Sequence, residues 1–447
     1  MNTDFRPRVL QLSYSCGPDR GSEPGIGWNR AVGAARFCDV WVMTCEQDWG
    51  PTIRDYLATH GAIPGLQFAF VSHSLLELLL QRIPGLYYVA YNLWHRRAFR
   101  AARELHERLQ FHLAHQLTFC GFREPGYLWR LPIPFVWGPF GGTQNYPWRF
   151  LGGAGWSAML KEAIRTLING LQLRFSRRVR NACHRAGAVL VANSTVQKQF
   201  TRLHPCPTTV LTDIGLASVA DGETDRRQPA NELRILWSGV IEHRKALEIL
   251  LEALATLPAD VSCELRVLGS GPRERRMRQL ARRRGIDHRV TWLGWLPHAE
   301  AIAQFAWADV FLFTSLRDTT GTVLVEALGA GVPVVTFDHQ GAADVVDATC
   351  GVKVAVTNRP DAVRRFCQVL TDLARHPSQL AALKRGCLQR AARYVWASTT
   401  AKLIEVYRQV LAARGCDWMP RETSPSTPFQ APVPPALLTT HQSMEGP

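Results

Sequence analysis

The stretch Thr314–Thr336, TSLRDTTGTVLVEALGAGVPVVT, decides how this chain folds. It continues the apolar run DVFLFTS (309–315) through a polar turn, RDTTG (317–321), into an apolar segment, a small-residue turn and a second apolar run, VPVVTFD (332–338). Strand, turn, helix and strand in that order make one unit of a parallel sheet covered by helices. Within the helical segment Val323, Leu324, Val325, Ala327 and Leu328 are apolar, yet Glu326 sits among them. A carboxylate there is costly unless something pairs with it, so either that face turns outward or a ligand is expected.

The same alternation runs along the whole chain. RVLQLSY, CDVWVMT, LQFAFVS, IPFVWGP and GAVLVANS read as strands in the first half; LRILWSGV, CELRVLGSG, RVTWLGWL, DVFLFTS and VPVVTFD do so in the second. Near-continuous apolar strands separated by helices indicate parallel sheets buried on both faces. The fold class is therefore α/β, with two doubly wound Rossmann-like domains facing each other. Residues 1–217 form the first, the polar stretch 218–232 a linker and 233–390 the second; 391–413 is a last helix expected to return to the first domain. The Pro-, Ser- and Thr-rich segment 414–447 reads as a disordered tail. Ligands of such sheets bind beyond the carboxyl ends of the strands, so the site is expected between the domains.

Composition narrows the partners. The 447 residues are 46% hydrophobic and 20% charged, which suits a folded globular chain. Fifty-two Lys and Arg against 37 Asp and Glu give a net charge of +15, which favours anionic partners. The 11 cysteines are scattered singly from Cys16 to Cys416, without metal-like spacing, so neither a disulfide framework nor a zinc site is indicated and a cytoplasmic setting fits best. No stretch reads as a signal peptide or a membrane span.

The turn RDTTG leads into a helix that starts near Thr320–Thr322, whose free N–H groups and positive dipole end suit a phosphate. Gly321 lets an anion approach the backbone, and Asp318 and Glu326 flank the seat. N–H groups for a diphosphate and acids for sugar and ribose hydroxyls suit a nucleotide sugar. The alternative is that Asp318 is a turn residue or N-cap and Glu326 a solvated helix position.

The spacing resembles the retaining glycosyltransferases of family four, the glycosyl transferases group 1, whose motif E-x-F-G-x-x-x-x-E-A precedes a small-residue turn and PVV. Here Asp318-Thr319-Thr320-Gly321, four further residues and Glu326-Ala327 stand in that order, with Asp318 for the first Glu and Thr320 for the Phe. LWSGVIEHRKALEILLEAL, LRVLGSGPRE, VTWLGWLPHAE and ADVFLFTS are similar to the family's other motifs, in its order, from about residue 233 to 390. The resemblance implies a GT-B fold and a donor site without metal or cofactor. It makes Arg244 and Lys245 the cations on the diphosphate, Asp318 the acid on the transferred sugar, and Glu326 the ribose ligand, with Gly239, Gly321 and Thr322 lining the donor. Ala246 replaces a family Gly and Val240 a family Arg. Without the resemblance, Arg244 and Lys245 read first as a solvated basic turn before a helix.

In the first half, GSEPGIGW (21–28) resembles the family's glycine-rich loop over the donor phosphates and acceptor, with Ser22, Gly25 and Gly27 lining the cleft. It lacks the full G-x-G-x-x-G spacing of a dinucleotide fingerprint. His115, in FHLAHQLTFC, is read as ending a strand at the cleft and orienting sugar or acceptor, or else as a structural hydrogen-bonder; Gly141 and Gly142 suggest another cleft loop. The basic aromatic stretches 85–109 and 173–187 fit either peripheral association with an anionic membrane or helices packed on a sheet. No nucleic-acid module accompanies the charge.

The expected function is hexose transfer from a UDP- or GDP-sugar to a hydroxyl of a saccharide or lipid-linked saccharide, on the cytoplasmic side. The alternatives are a sugar-nucleotide epimerase or phosphorylase on the same scaffold, and a basic membrane-surface or nucleic-acid binding protein whose transferase site has decayed.

Overall fold

A computed structural model describes residues 5–19, 21–118, 120–153, 155–219 and 232–422. Most of the 218–232 linker and of the 414–447 tail lies outside the described residues. The first half runs β1 (Arg8–Ser13), α1 (Ser22–Ala35), β2 (Asp39–Cys45), α2 (Glu46–His60), β3 (Leu66–Val71), α3 (Leu75–Gln81), α4 (Tyr87–Leu109), β4 (Leu113–Thr118), β5 (Phe135–Phe140), α5 (Trp156–Phe175), α6 (Arg177–Arg185), β6 (Ala186–Val191), α7 (Ser194–Thr201) and β7 (Thr208–Val210). The second runs β8 (Leu233–Ser238), α8 (Leu247–Ala255), β9 (Cys263–Leu268), α9 (Glu274–Arg283), β10 (Val290–Gly294), α10 (His298–Trp307), β11 (Val310–Phe313), α11 (Thr322–Gly329), β12 (Val334–Phe337), α12 (Gln340–Val345), β13 (Gly351–Val354), α13 (Arg359–Arg375), α14 (Pro377–Ala391) and α15 (Trp396–Ala412).

Both sheets are parallel, in the orders β3-β2-β1-β4-β5-β6-β7 and β10-β9-β8-β11-β12-β13. Each chain of strands starts in the middle, runs to one edge and restarts on the other side of its first strand. The strand order thus reverses between β1 and β4 and between β8 and β11, and those gaps are where loops diverge and leave room for a ligand. Strand residues are buried on both sides, as in β2, where all seven are, because helices cover both faces of each sheet. This is the doubly wound pair that the strand pattern implies.

The two sheets are crossed twice by the chain, once after β7 and once before α15. The crossings pair with each other: Leu216 N–H donates to Tyr394 O at 2.9 Å, and Trp396 N–H to Leu216 O at 2.9 Å. Helix α15 then lies on α1 and β6 of the first sheet. The Arg30 guanidinium sits 5.1 Å from the Trp396 ring centroid, and buried Tyr407 bonds into the sheet.

Helices α4 and α6, the stretches that suggested a membrane surface, instead pack their apolar faces inward. Ala90, Tyr91, Trp94, Ala98, Ala102, Val179, Ala182 and Cys183 are all buried. Of α4, Tyr87, Tyr88 and Val89 in the first turn are exposed.

Candidate active site at the seam between the sheets

Strands β8 and β11 are neighbours, so the loops leaving their carboxyl ends lie side by side. Leu316 N–H donates to Arg244 O at 2.8 Å and the Thr314 hydroxyl to Lys245 O at 2.7 Å, which fixes one loop against the other. The Lys245 ammonium consequently bonds Asp318, and Arg244 Nη1 lies 3.6 Å from the same carboxylate oxygen. Arg244 also reaches Glu242 at 2.7 Å and donates to Arg317 O at 3.1 Å. Burial pushes the Asp318 carboxyl up, but Lys245 and Arg244 outweigh it and hold the group below the usual carboxylate range. Gly239, at the end of β8, donates to Leu268 O at 3.0 Å and lies against the stem of Lys245. Sequence positions 73 apart thereby form one charged cluster.

Helix α11 starts at Thr322, directly after the turn that carries Asp318, and has no side-chain cap; of its first N–H groups, that of Leu324 donates to Gly321 O at 3.0 Å. Its N-cap, Gly321, has φ +88°, and a Cβ there would stand 2.9 Å from the Phe313 ring, so both backbone and space require glycine. Glu326 lies in the helix's second turn, half-buried, and has no hydrogen-bond or ion-pair partner among the described residues. Burial pushes its carboxyl up, with His298 opposing. The carboxylate is thus half withdrawn from water and left without a partner among the described residues.

The turn 317–321 is clamped from four sides. Asp318 N–H donates to Gln340 Oε1 at 2.8 Å, Asn193 Nδ2 to Thr319 O at 2.7 Å and the Thr320 hydroxyl to Asp213 at 2.6 Å. Glu162 of α5 accepts from Arg317 at 2.9 Å and from His243 Nε2 at 2.8 Å, tying both site loops to a helix of the first half. Burial pushes the Glu162 carboxyl up, but His243 and Arg317 hold it below its ordinary range. None of Glu162, Asn193, Asp213, Arg317 or Gln340 stood out in the sequence. The single available signal was that Glu162 is the one acid among eight Lys and Arg over residues 148–185.

Two expectations are corrected. His115 stands in the middle of β4, fully buried; its Nε2 donates to Gly138 O at 2.6 Å and its Nδ1 accepts from the Tyr407 hydroxyl at 2.6 Å. Burial pulls its pKa down to about 4, so it is a neutral scaffold group with both nitrogens used and none turned to the cleft. Ser22, Gly25 and Gly27 do not form a loop: they are the first turns of α1, and a Cβ on Gly27 would lie 2.3 Å from Ser15 O, so that glycine serves helix-on-loop packing. Cysteine and histidine spacing gave no metal site, yet Cys45, Asp48 and His73 bring one donor atom each within 4.8 Å of one another. Both His73 nitrogens there are already engaged, by Tyr14 at 3.0 Å and Glu77 at 3.3 Å.

The departures from the family pattern at Ala246 and Val240 are also visible. Ala246 holds φ +47°, the left-handed conformation that costs an L-residue about 1–2 kcal/mol. Val240 is half exposed and offers an anion no charge. Gly141 and Gly142 follow β5; Gly141 packs against Thr319, and Gly142 N–H donates to Gln144 at 2.8 Å.

Two facing parallel sheets with the site at their switch points make this a GT-B fold. Sucrose-phosphate synthase from Thermosynechococcus elongatus superposes with a TM-score of 0.61 over 91% of this chain and 100% of its own, at 18% identity. Anabaena HepE, solved in complex with UDP and glucose, gives 0.57 over 90% and 99%, at 17% identity. WaaG, a glycosyltransferase involved in lipopolysaccharide biosynthesis, gives 0.55 over 89% and 99%, at 17% identity. Residues 223–382 match the family model described as Glycosyl transferases group 1. The putative colanic acid biosynthesis glycosyltransferase WcaL of Salmonella typhimurium is 33% identical over 129 residues, 27% of this chain and 32% of its own. D-inositol 3-phosphate glycosyltransferase 1 of Catenulispora acidiphila is 27% identical over 248 residues, 53% of this chain and 57% of its own. The chain thus spans between a third and somewhat over half of the length of these curated relatives.

Proposed function

We propose that the chain is a retaining glycosyltransferase that moves a hexose from a nucleoside diphosphate sugar to a hydroxyl of a saccharide or lipid-linked saccharide. The observation that carries this reading is the meeting of two cations, Arg244 and Lys245, with the uncapped start of α11 and the unpartnered Glu326 at the β8/β11 switch point. A leaving diphosphate gains charge as its bond to the sugar breaks, and preorganised cations and N–H groups stabilise that charge where it forms. Arg244, Lys245 and the helix terminus supply what a divalent ion supplies elsewhere. In this reading Glu326 takes the ribose hydroxyls, whose hydrogen bonds would satisfy its carboxylate. Asp318 is the acid nearest the transferred sugar; Lys245 and Arg244 keep it ionised and able to accept from a sugar hydroxyl. Retention follows front-face attack, in which the leaving phosphate oxygen takes the acceptor's proton.

The UDP and glucose bound by HepE support a UDP-sugar over a GDP-sugar. The polysaccharide-related names of WcaL and WaaG support an acceptor in cell-surface saccharide assembly. The test is thermal unfolding against UDP, GDP, ADP and their sugars. A ligand at 100 times its Kd adds about 2.7 kcal/mol to the folded state, so one base should raise the melting temperature selectively. No shift with any of them would overturn the reading.

A further inference from the structure

Fifteen of the twenty exposed large apolar side chains among the described residues fall in two short segments, 75–89 and 148–175, of a 447-residue chain. Helix α5 supplies six in one row, Trp156, Leu160, Ile164, Leu167, Leu171 and Phe175, at the three- and four-residue spacing of one helix face. Its opposite face is polar and turned inward: Glu162 holds His243 and Arg317, and Asn169 bonds Arg123 and, at 2.9 Å, Asn145. The helix is therefore amphipathic the wrong way round for water, with its polar side in the protein and its apolar side out. Leu75, Leu76 and Leu79 of α3 and Ile83 add a second exposed row. Helix α3 packs on α4, whose first turn exposes Tyr87, Tyr88 and Val89.

We propose that this face, the outer row of α5, docks on an anionic lipid bilayer and holds the seam of the two domains against it. Charge selects that occupant over a second copy of the chain. Residues 148–185 carry eight Lys and Arg against Glu162 alone, and that acid is buried and paired inside. A two-fold contact would set this basic fringe against itself, whereas anionic headgroups complement it while acyl chains take the Trp and Leu row. No helix of the described residues is long and apolar enough to cross a membrane, so the contact is interfacial. The docking rests on the transferase reading only in that a lipid-linked acceptor would then reach the seam from the same side.

The experiment is sedimentation of the full chain with phosphatidylcholine vesicles, with and without phosphatidylglycerol, comparing wild type, Leu160→Glu/Leu167→Glu and the control Trp295→Glu, which changes an exposed residue outside the face. The wild type and control should bind the anionic vesicles selectively and lose binding as salt rises. The double variant should bind about 100-fold more weakly, since each Leu taken out of the interface forfeits about a factor of ten, with an unchanged melting temperature. Equal binding by the double variant, equal binding of wild type to both vesicle types, or a wild-type dimer broken by the double substitution would each overturn the proposal. Vesicle binding without any nucleotide-induced thermal shift would overturn the transferase reading and leave docking intact; the reverse pattern would remove docking alone.

Discussion

Replacing Tyr407 by Phe tests whether His115 is scaffold or chemistry. The Tyr407 hydroxyl donates to His115 Nδ1 at 2.6 Å and accepts from Gln11 Nε2 at 3.0 Å, and all three side chains are fully buried. Phe fills the same space but leaves an acceptor on His115 and a donor on Gln11 without partners in a site closed to water. Each such orphan costs about 1–3 kcal/mol, so the substitution should destabilise by about 2–5 kcal/mol. Spread over a domain of this size, where 1 kcal/mol moves the midpoint by about 2–4 °C, that is a drop of roughly 4–20 °C. Differential scanning calorimetry reads the drop, and glycosyl transfer measured well below the transition should keep its kcat. An unchanged melting temperature, or a collapse of kcat without any change in melting, would refute the scaffold assignment and return His115 to the site.

Lys245→Ala and Arg244→Ala should each lower kcat/KM for transfer by about 10²–10³, as expected when a donor to developing negative charge is removed; near-wild-type turnover in both folded variants would sink their role. Glu326→Gln should weaken nucleoside diphosphate binding in calorimetry about tenfold while slightly raising the melting temperature, because it deletes a half-buried, unpartnered charge; tighter or unchanged binding would count against ribose contact. Glu162→Gln should cost about 3 kcal/mol by leaving Arg317 and His243 short of a buried carboxylate. Because the folded-state pKa of Glu162 lies below its ordinary value of 4.5, its contribution is present above that pH and is lost as pH falls through the lowered value. The variant should therefore melt with a flatter pH profile in that acid range than the wild type.

The sequence by itself determined the elements and their order. Apolar runs such as DVFLFTS and VPVVTFD became β11 and β12 because a strand covered on both faces must be apolar almost throughout. The RDTTG turn and its glycine marked the start of α11, since only Gly tolerates φ +88° beside the Phe313 ring. Short edge strands such as β7 and β13, three and four residues long, carried too little pattern to be read. The tertiary structure alone decided what those pieces do. Glu162 lies 81 and 155 residues from its partners His243 and Arg317, and no local rule links them. His115 and the GSEPGIGW segment misled because a polar residue near a strand end and a cluster of glycines look alike whether they serve a ligand or a packing contact. Only burial distinguishes the two, and burial comes from which helix happens to cover them. Here α15 returns from the far end of the chain to seal His115, and α5 crosses the seam with its apolar side left outside.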